Sequence, residues 1–405
     1  MIKILQIVNR VPWPLKDGGA LGYYNYIKGY HDAGCDVTVA ALNTSKHFVN
    51  SNELPDELKN LADWRFSYID NKVKPLDAFI NLFSNKSYNI ERFVSDDFKK
   101  QLNELLHEKQ FDVIVFESLF VAPYIDVVTN NSNALLVLRQ HNVEHKIWET
   151  LAQEEPNPIK KIYLNLLASR LKKFETTQLN KFDALTTVTQ NDANYFKQMG
   201  CNQPVFSSPT GIDISRLKVD DSTLEIPSVF HIGSMEWMPN QQAVMWFIKN
   251  VWNRILVKYP SLKLVIAGRG MTDSFKQQNF QNVEMKGEVD DAVKFIQSKQ
   301  IMIVPLFAGS GIRVKILEGM AMGKAIVSTS LGAQGIEAEN GKHLLIANTA
   351  EEFTEAIFSL VSNAKFADEL GRNARKLVES TYDNTKVIDR LLKFYEHQIQ
   401  NKANF

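Results

Sequence analysis

The feature that most constrains this sequence is a repeated alternation of short apolar runs with longer helical patterns. The apolar runs are rich in β-branched residues and nearly continuous, a pattern typical of strands buried on both faces of a parallel sheet. The alternation predicts a doubly wound α/β fold. In the first half, strands are predicted over Lys3 to Val8, Asp36 to Leu42, Val113 to Phe116, Leu135 to Leu138 and Leu185 to Val188.

The alternation starts again after Ile226-Pro227, which indicates a second domain of the same class. A chain of 405 residues is also too long for one compact core. We therefore predict two Rossmann-like domains facing each other across a cleft, over 1–210 and 211–380, with the polar stretch 215–225 as the linker. The C-terminal segment 381–405 is predicted to form a helix that packs on its own domain or crosses back to the first. Strands of the second domain are predicted over Ser228 to Ile232, Lys263 to Ala267, Val283 to Met285, Ile301 to Val304, Ala325 to Ser328 and His343 to Ile346.

Composition excludes several classes of protein. The 46 basic and 46 acidic residues balance, so no overall field favours nucleic acid as a partner. Cys35 and Cys201 are far apart and form no metal-type or redox-type pair, which fits a reducing cytoplasm. The N-terminal apolar run is too short for a signal peptide, and no run approaches the roughly 20 apolar residues of a membrane helix. These observations predict a soluble, cytoplasmic protein.

The segment 301–346 is the most informative about chemistry. A buried strand ends at Val304, a loop with Gly309 and Gly311 follows, and a helix is predicted to begin near Ile312. Glycines allow a ligand to approach the backbone, and a helix N-terminus offers free N–H groups to an anion. Arg313 and Lys315 fall in the predicted first turn, and Glu318 projects one turn further along. The pattern indicates a pyrophosphate site, with Glu318 placed to accept hydrogen bonds from vicinal hydroxyls.

A simpler interpretation is that Arg313, Lys315 and Glu318 form a solvated helix face with an i,i+3 ion pair. Neither GSGIRV nor DGGALG completes the Gly-x-Gly-x-x-Gly pattern, which argues against a dinucleotide-binding dehydrogenase.

Four segments are informative together: PLFAGSGIRVKILEGMAMGKAIVST at 305–329, HIGSMEWMPN at 231–240, VIAGRG at 265–270 and SSPTGID at 207–213. In combination they resemble glycosyltransferase family 4, whose members are retaining transferases with the GT-B fold. The resemblance implies an acceptor-side first domain and a second domain that binds a nucleotide-diphosphate sugar. It also implies transfer of the sugar, with retention, to a hydroxyl of a saccharide or lipid-linked acceptor in the synthesis of cell-surface polysaccharide or glycoconjugate.

The resemblance also implies roles for individual residues. Arg313 and Lys315 would stabilise the leaving diphosphate, and Glu318 would hold the nucleotide ribose. The family usually has a second glutamate eight positions before Glu318, where this chain has Ser310, and it often has basic residues where this chain has Ser234 to Trp237. The remaining donor-binding residues implied by the resemblance are Gly233, Ser234, Gly268, Gly287, Val289, Gly309, Ser310, Gly311 and Ile312.

In the first domain, Gly18 and Gly19 open a predicted helix after the first strand, and His141 follows a buried strand. The resemblance places the glycine pair beside the donor phosphates or the acceptor, and His141 as a catalytic residue near the donor sugar. A plain strand-to-helix turn and an ordinary loop histidine are the alternatives. His141 and His145 could share a zinc ion, but there is no evident third ligand and no Asp-x-Asp motif occurs, so no metal is predicted.

The helical pattern 158–181 mixes lysines with apolar residues. Such a helix either rests on anionic lipid, as peripheral contact with the inner membrane face would require, or is an ordinary solvated helix, which we favour. Trp13, Phe79 and Phe83 mark either an acceptor surface or core.

Two other functions share the predicted fold. One is a nucleotide-sugar 2-epimerase, and the other is a sugar- or nucleotide-binding protein that has lost catalysis, which the absent glutamate at Ser310 supports. In each case the nucleotide-sugar is a substrate or ligand, and no further cofactor is predicted. The nucleotide, sugar, acceptor, linkage and oligomeric state do not follow from the sequence.

Overall fold

The computed structural model describes residues 1–15, 18–220, 222, 224–309 and 311–403. The chain forms two compact units. The first unit consists of Met1–Gly211 and Val387–Phe405, and the second unit consists of Ile212–Lys386. The stretch 215–225, interpreted above as a linker, therefore belongs to the second unit. Among the helices of the described residues, none combines the length and apolar composition that a bilayer span requires.

A parallel sheet forms the centre of the first unit, with strand order β3-β2-β1-β4-β5-β6-β7. The predicted doubly wound α/β fold is thereby confirmed for this unit. Two strands were not predicted: β3 is an edge strand whose side chains are mostly half-buried, and β7 has only 3 residues. The strands are β1 Lys3–Val8, β2 Asp36–Thr44, β3 Asp63–Ile69, β4 Val113–Glu117, β5 Leu135–Gln140, β6 Ala184–Thr187 and β7 Val205–Ser207.

Helices cover both faces of this sheet, and their apolar sides join the strands in two core clusters. Three short 3₁₀ helices lie at 45–47, 51–53 and 119–124. The α-helices are α1 Gly18–Asp32, α2 Asp56–Lys59, α3 Pro75–Asn81, α4 Tyr88–Glu91, α5 Asp96–Glu108, α6 Ile125–Thr129, α7 Glu144–Glu154, α8 Pro158–Gln178 and α9 Gln190–Gln198.

The second unit repeats this plan, with a parallel sheet in the order β10-β9-β8-β11-β12-β13. The single helix predicted over 241–258 is interrupted by a π-helical turn at 248–252, and a second such turn lies at 378–382. The strands are β8 Ser228–Ile232, β9 Lys263–Ala267, β10 Val283–Gly287, β11 Ile301–Val304, β12 Ala325–Ser328 and β13 Leu345–Ile346. The helices are α10 Met238–Phe247, α11 Asn253–Lys258, α12 Asp273–Lys276, α13 Ala292–Gln297, α14 Val314–Ala321, α15 Ala350–Ser362 and α16 Ala364–Leu377.

The last helix, α17 (Asn384–Ala403), packs on the first unit. Val387 and Leu391 are buried in the core cluster that also contains β1 and β2 side chains. The hydroxyl of Tyr395 lies 3.2 Å from that of Tyr30 on α1. Near its end, Lys402 forms an ion pair of 2.6 Å with Asp183. Each large apolar side chain buried in this way contributes about 1.5–3 kcal/mol, so α17 is a structural part of the first unit.

Within each unit, the carboxyl ends of the parallel strands lie at one edge of the sheet, where ligands of such sheets bind. Gly233, Gly268 and the 305–313 loop follow β8, β9 and β11 at this edge of the second unit. His141 follows β5 at the corresponding edge of the first unit. The residues singled out by sequence therefore lie where this fold class holds its ligands.

Candidate functional site

Three glycines bring the backbone close together at the carboxyl edge of the second unit. The Gly268 N–H donates to the carbonyl oxygen of Gly287 over 2.7 Å, and the Gly233 N–H donates to that of Ala267 over 3.1 Å. Gly268 has a φ of 154°, and a Cβ there would lie 1.8 Å from the Gly233 carbonyl oxygen. A side chain at Gly268 would collide with this backbone, so the close approach requires glycine.

Lys315 occupies the space that Gly233 leaves free. Its Nζ donates to Asn240 Oδ1 over 2.9 Å, and a Cβ on Gly233 would lie 2.9 Å from this nitrogen. His231 Nε2 lies 3.4 Å away, and His231 Nδ1 lies 2.9 Å from the carbonyl oxygen of Ile303. Because Nδ1 donates to that carbonyl, Nε2 presents a lone pair to Lys315.

The pKa values of Lys315 and His231 are both lower than usual. Burial and the nearby charge of Arg313 lower the pKa of Lys315 to about 7. Burial and the charge of Lys315 lower the pKa of His231 well below its ordinary value, so the imidazole is neutral. A dianionic ligand beside Nζ would favour the ammonium form and raise the pKa of Lys315. Binding of an anion therefore completes the protonation of Lys315 at neutral pH.

Arg313 is held by the loop that precedes α14. Its side chain donates from Nη1 to the Gly311 carbonyl, and its guanidinium carbon lies 5.7 Å from the centre of the Trp237 ring. Gly309 has a φ of 110°, and a Cβ there would lie 2.6 Å from the same ring. Burial lowers the pKa of Arg313, which is 6% exposed. Trp237 thus supports both the glycine loop and the guanidinium.

The helix begins later than the sequence predicted. Arg313 is the N-cap residue and α14 starts at Val314, two residues after the predicted start at Ile312. Gly311, with a φ of 79°, is in the left-handed region and delays the start of regular helix. Lys315 still lies in the first turn, beside the unpaired N–H groups that favour an anion. Ser310 lies outside the described residues.

Glu318 is half-buried on α14, one turn after Lys315. Burial raises its pKa to about 7. Among the ion pairs of the described residues, there is none between Glu318 and Lys315, whose ammonium group instead contacts Asn240. The alternative interpretation of these residues as a solvated face with an i,i+3 ion pair is therefore wrong.

We expect Glu318→Gln to make the ligand-free protein more stable at about pH 8. Because the folded-state pKa of Glu318 is raised, the folded state binds more protons than the unfolded state between the two pKa values. Stability is therefore lost as pH rises from about 4.5 to about 7. The neutral amide avoids this loss, and allowing for partial exposure the gain is about 1–3 kcal/mol. Urea unfolding at about pH 8 and pH 4.5 tests this, and an equal gain at both pH values would contradict it.

Other predicted donor-site residues contribute to the same edge of the sheet through backbone hydrogen bonds or side-chain packing. The carbonyl of Ser234 accepts from Asn240 Nδ2 over 2.8 Å, which orients the amide that contacts Lys315. Val289 and Ile312 are partly buried against the core on the same face of the sheet. The second unit thus brings those of its predicted residues that the structure describes to one edge of its sheet. Gly18, Gly19 and His141 belong to the first unit, where the glycine pair begins α1.

His141 rests on a buried ionic cluster in the first unit. Its Nε2 lies 3.0 Å from Glu117 Oε2, and Glu117 also accepts from Gln6 Nε2 over 2.6 Å. Arg139 Nε lies 3.3 Å from the same carboxylate. Burial would raise the pKa of Glu117, but the hydrogen bond from His141 and the charge of Arg139 hold it below its ordinary value. Burial outweighs the attraction of Glu117 and lowers the pKa of His141.

His141 and His145 have different partners. His145 Nδ1 lies 2.5 Å from Glu175 Oε2, and its Nε2 lies 3.0 Å from the Tyr195 hydroxyl. His145 is fully buried and fixes the start of α7, whereas His141 is partly exposed. Across the described part of the chain, no group of three or more His, Cys, Asp or Glu side chains is arranged to hold a metal ion.

Sequence reasoning missed His231, Asn240 and Glu117. His231 and Asn240 lie inside the segment HIGSMEWMPN, but their spacing gave no sign that both face Lys315, which is distant in sequence. Glu117 ends the buried strand β4 and is fully buried. A charged residue at the carboxyl end of a buried strand is itself a signal for a site, and it was available in the sequence.

The chain is similar to known glycosyltransferases. Residues 226–363 match the profile of the family Glycosyl transferases group 1. An uncharacterized 44.6 kDa protein in the cps region of Klebsiella pneumoniae is 24% identical over 97% of this chain and 100% of its own length. The phosphatidyl-myo-inositol mannosyltransferase of Mycolicibacterium smegmatis is 23% identical over 46% of this chain and 50% of its own length.

Solved structures give the same fold. HepE of Anabaena, in complex with UDP and glucose, is 13% identical, with a TM-score of 0.68 over 98% of this chain and 100% of that chain. Both units with their parallel sheets are therefore those of the GT-B architecture. The chain thus contains a glycosyl transferases group 1 domain and is a glycosyltransferase with the GT-B fold.

Proposed function

We propose that this protein transfers a sugar from a nucleotide-diphosphate sugar to a hydroxyl of a saccharide or lipid-linked acceptor. The transfer retains the anomeric configuration and needs no metal ion. The observation that carries the proposal is the group at the carboxyl edge of the second unit, where Lys315 and Arg313 lie beside closely packed glycine backbone. This combination of cations, accessible backbone and a helix start matches what a diphosphate requires.

In this proposal Lys315 and Arg313 take the place of a metal ion. Negative charge develops on the diphosphate as the sugar leaves, and fixed cations at that point stabilise the transition state. Gly233, Gly268 and Gly309 let the phosphates and sugar approach the backbone. Glu318 accepts hydrogen bonds from the ribose hydroxyls. Ser310 offers a hydroxyl where the related family has a carboxylate.

His141 acts toward the transferred sugar from the first unit. Glu117 holds the imidazole in one orientation through the 3.0 Å contact to Nε2, which leaves Nδ1 for a substrate. The low pKa of His141 keeps it neutral, so it positions a hydroxyl instead of adding a charge. The acceptor hydroxyl attacks on the face from which the diphosphate leaves, and a phosphate oxygen takes its proton. The protein contributes orientation and charge stabilisation.

The relatives support the class of substrate. HepE was solved with UDP and glucose, and the mycobacterial relative is named as a mannosyltransferase that acts on phosphatidyl-myo-inositol. The relative in the cps region supports a role in cell-surface polysaccharide or glycoconjugate synthesis. For peripheral contact with a membrane, the structure offers the side chains of Phe79 on α3 and of Phe83 just after this helix, which are 58% and 81% exposed. Trp13 instead packs against the core.

The test is a thermal-shift screen with UDP, GDP, ADP and their sugars, followed by transfer assays on the donor that stabilises most. We expect one nucleoside diphosphate to raise the unfolding temperature by several degrees, as binding well above Kd contributes about 3 kcal/mol. Transfer should continue in EDTA and should give a product with the anomeric configuration of the donor, read by proton NMR.

Each alternative gives a different result. Release of nucleoside diphosphate without an acceptor, together with a new sugar epimer, would indicate a 2-epimerase. Binding without turnover across a broad acceptor panel would indicate a binding protein. Inverted product would contradict the retaining mechanism, and loss of transfer in EDTA would contradict metal independence.

A further inference from the structure

The first unit contains a second polar pocket that the donor site does not use. It has a volume of about 620 Å³ and lies at the carboxyl edge of the sheet, among the segments that follow β1, β2 and β3. We call it the basic pocket, and its principal lining residues are Asn9, Arg10, Thr44, Lys46, Lys72 and Arg92. Its size suits one or two sugar residues.

The charge of the basic pocket is strongly positive. Of its described lining residues, none carries a carboxylate. Within the described part of the chain, Lys46, Lys72 and Arg92 form no ion pair with Asp or Glu, while the nearby Asp70 is paired with Lys74 at 3.1 Å. Uncompensated cations that converge on a concave surface attract anions and raise their local concentration.

Two buried polar groups in the basic pocket lack partners. Thr44 is 1% exposed, and its Oγ1 forms no hydrogen bond. Arg92 Nε is also buried without a hydrogen-bond partner, although Nη1 donates to the Asn71 carbonyl over 3.2 Å. The guanidinium carbon lies 5.6 Å from the centre of the Tyr88 ring. A buried donor without a partner is unfavourable, so a ligand that accepts hydrogen bonds from these groups recovers that cost.

The basic pocket adjoins the proposed catalytic histidine of the same unit. Asn9 lines the pocket, and its Oδ1 accepts from the Tyr23 hydroxyl over 2.7 Å. The ring of Tyr23 meets that of His141 edge-on, with centroids 5.1 Å apart. A single aromatic side chain thus separates the basic pocket from His141. A molecule held in the pocket therefore lies one residue's width from the group assigned to the reacting sugar.

We infer that the basic pocket binds the acceptor through an anionic group, a carboxylate or phosphate carried by the acceptor saccharide or its lipid carrier. The inference rests on the proposed function and names the acceptor class for it. Lys46 and Lys72 supply charge, Arg92 supplies directed N–H donors, and Thr44 supplies a hydroxyl. A neutral saccharide leaves these groups unpaired, so the pocket selects against it.

Isothermal titration with trigalacturonate and with neutral maltotriose tests the inference on the full-length protein. We expect trigalacturonate to bind at least about tenfold more tightly than maltotriose. We also expect the affinity for trigalacturonate to fall as salt is added. The double variant Lys46→Ala/Lys72→Ala should lose about tenfold in affinity, whereas the control Lys100→Ala/Lys197→Ala, which removes the same charge elsewhere in the unit, should not. Thr44→Val should weaken binding without a change in charge.

A second arm separates the two sources of the anion. If only a lipid carrier supplies it, trigalacturonate will not bind, but phosphatidylglycerol vesicles will bind the parent protein more than Lys46→Ala/Lys72→Ala. Phosphatidylcholine vesicles are the control. If no anionic probe binds, or if the double variant binds every probe as the parent does, the inference is overturned. Nucleoside diphosphate binding measured in the same samples reports on the donor site separately, so loss of one does not imply loss of the other.

Discussion

Lys315→Met is expected to lower kcat/KM by about 10²–10³-fold while the ligand-free protein becomes more stable. The methionine fills the space beside Gly233 but removes the charge that, in the proposed function, faces the leaving diphosphate. In the ligand-free protein, that charge is half-buried against Asn240 and a neutral His231, and this burial lowers the pKa of Lys315 to about 7. Lys315 thus lowers the stability of the ligand-free protein, and in the proposed function its charge is used only when an anion is bound.

Lys315 and Glu318 change the pH dependence of stability in opposite directions. The unfolded state binds more protons than the folded state between about pH 7 and pH 10.5, so the cost of Lys315 is greatest below about pH 7 and disappears above about pH 10.5. The stability gain of Lys315→Met should therefore be larger at about pH 6 than at about pH 9. Above about pH 7 the parent should also take up a proton when it binds a nucleoside diphosphate.

Titration calorimetry in buffers of different ionisation enthalpy measures that proton uptake, and urea unfolding measures the stability. Lys365→Met is the matched control, because Lys365 is exposed on α16 of the same unit. The control should change neither activity nor the pH dependence of stability. Retained nucleotide binding in Lys315→Met, with no change in proton uptake, would show that Lys315 is not at the diphosphate.

Glu117→Gln is expected to destabilise the first unit by about 3–5 kcal/mol at neutral pH. Arg139 is fully buried, and Glu117 is its carboxylate partner, with Nε and Oε2 3.3 Å apart. The guanidinium also lies 3.5 Å from the centre of the Tyr26 ring, but its Nη1 has no hydrogen-bond partner. Removal of the carboxylate therefore leaves a buried charge without compensation.

The sign of the pH effect follows from the pKa of Glu117, which the folded state holds below its ordinary value. The carboxylate stabilises the protein above its unfolded pKa, and this contribution is lost as pH falls through the folded pKa. The difference between parent and Glu117→Gln should accordingly shrink in acid. Glu117→Gln/Arg139→Met should recover part of the loss, since both charges are then absent. A variant as stable as the parent would mean that Arg139 is compensated elsewhere.

The sequence was sufficient to predict the class of fold because the central strands are nearly continuous apolar runs. The strands β1, β8 and β11 begin and end where the pattern placed them. Edge strand β3 was missed because half-buried side chains do not produce such a run. The π-helical turn between α10 and α11 is a departure from helical geometry without a corresponding change in the apolar pattern.

The candidate site was only partly predictable for a related reason. Gly309, Gly311, Arg313 and Lys315 are close in sequence, so a local pattern raised the hypothesis of an anion site, and the family resemblance favoured it over a solvated helix face. The contact of Lys315 with His231 and Asn240 joins residues 84 and 75 positions apart, and the topology of the sheet determines it. The residues that line the basic pocket likewise come from separate parts of the sequence, so no local sequence pattern predicts the pocket.

The return of α17 to the first unit has a consequence for how the chain is made. Residues 212–386 form an insertion between two segments that share one core, so the core of the first unit lacks Val387, Leu391 and Tyr395 until the whole second unit has been synthesised. On the ribosome, the second unit can therefore finish folding before the first unit has acquired α17. A nascent chain released early would expose apolar surface of the first unit, and a premature stop near residue 386 would damage the half of the protein that had been translated first.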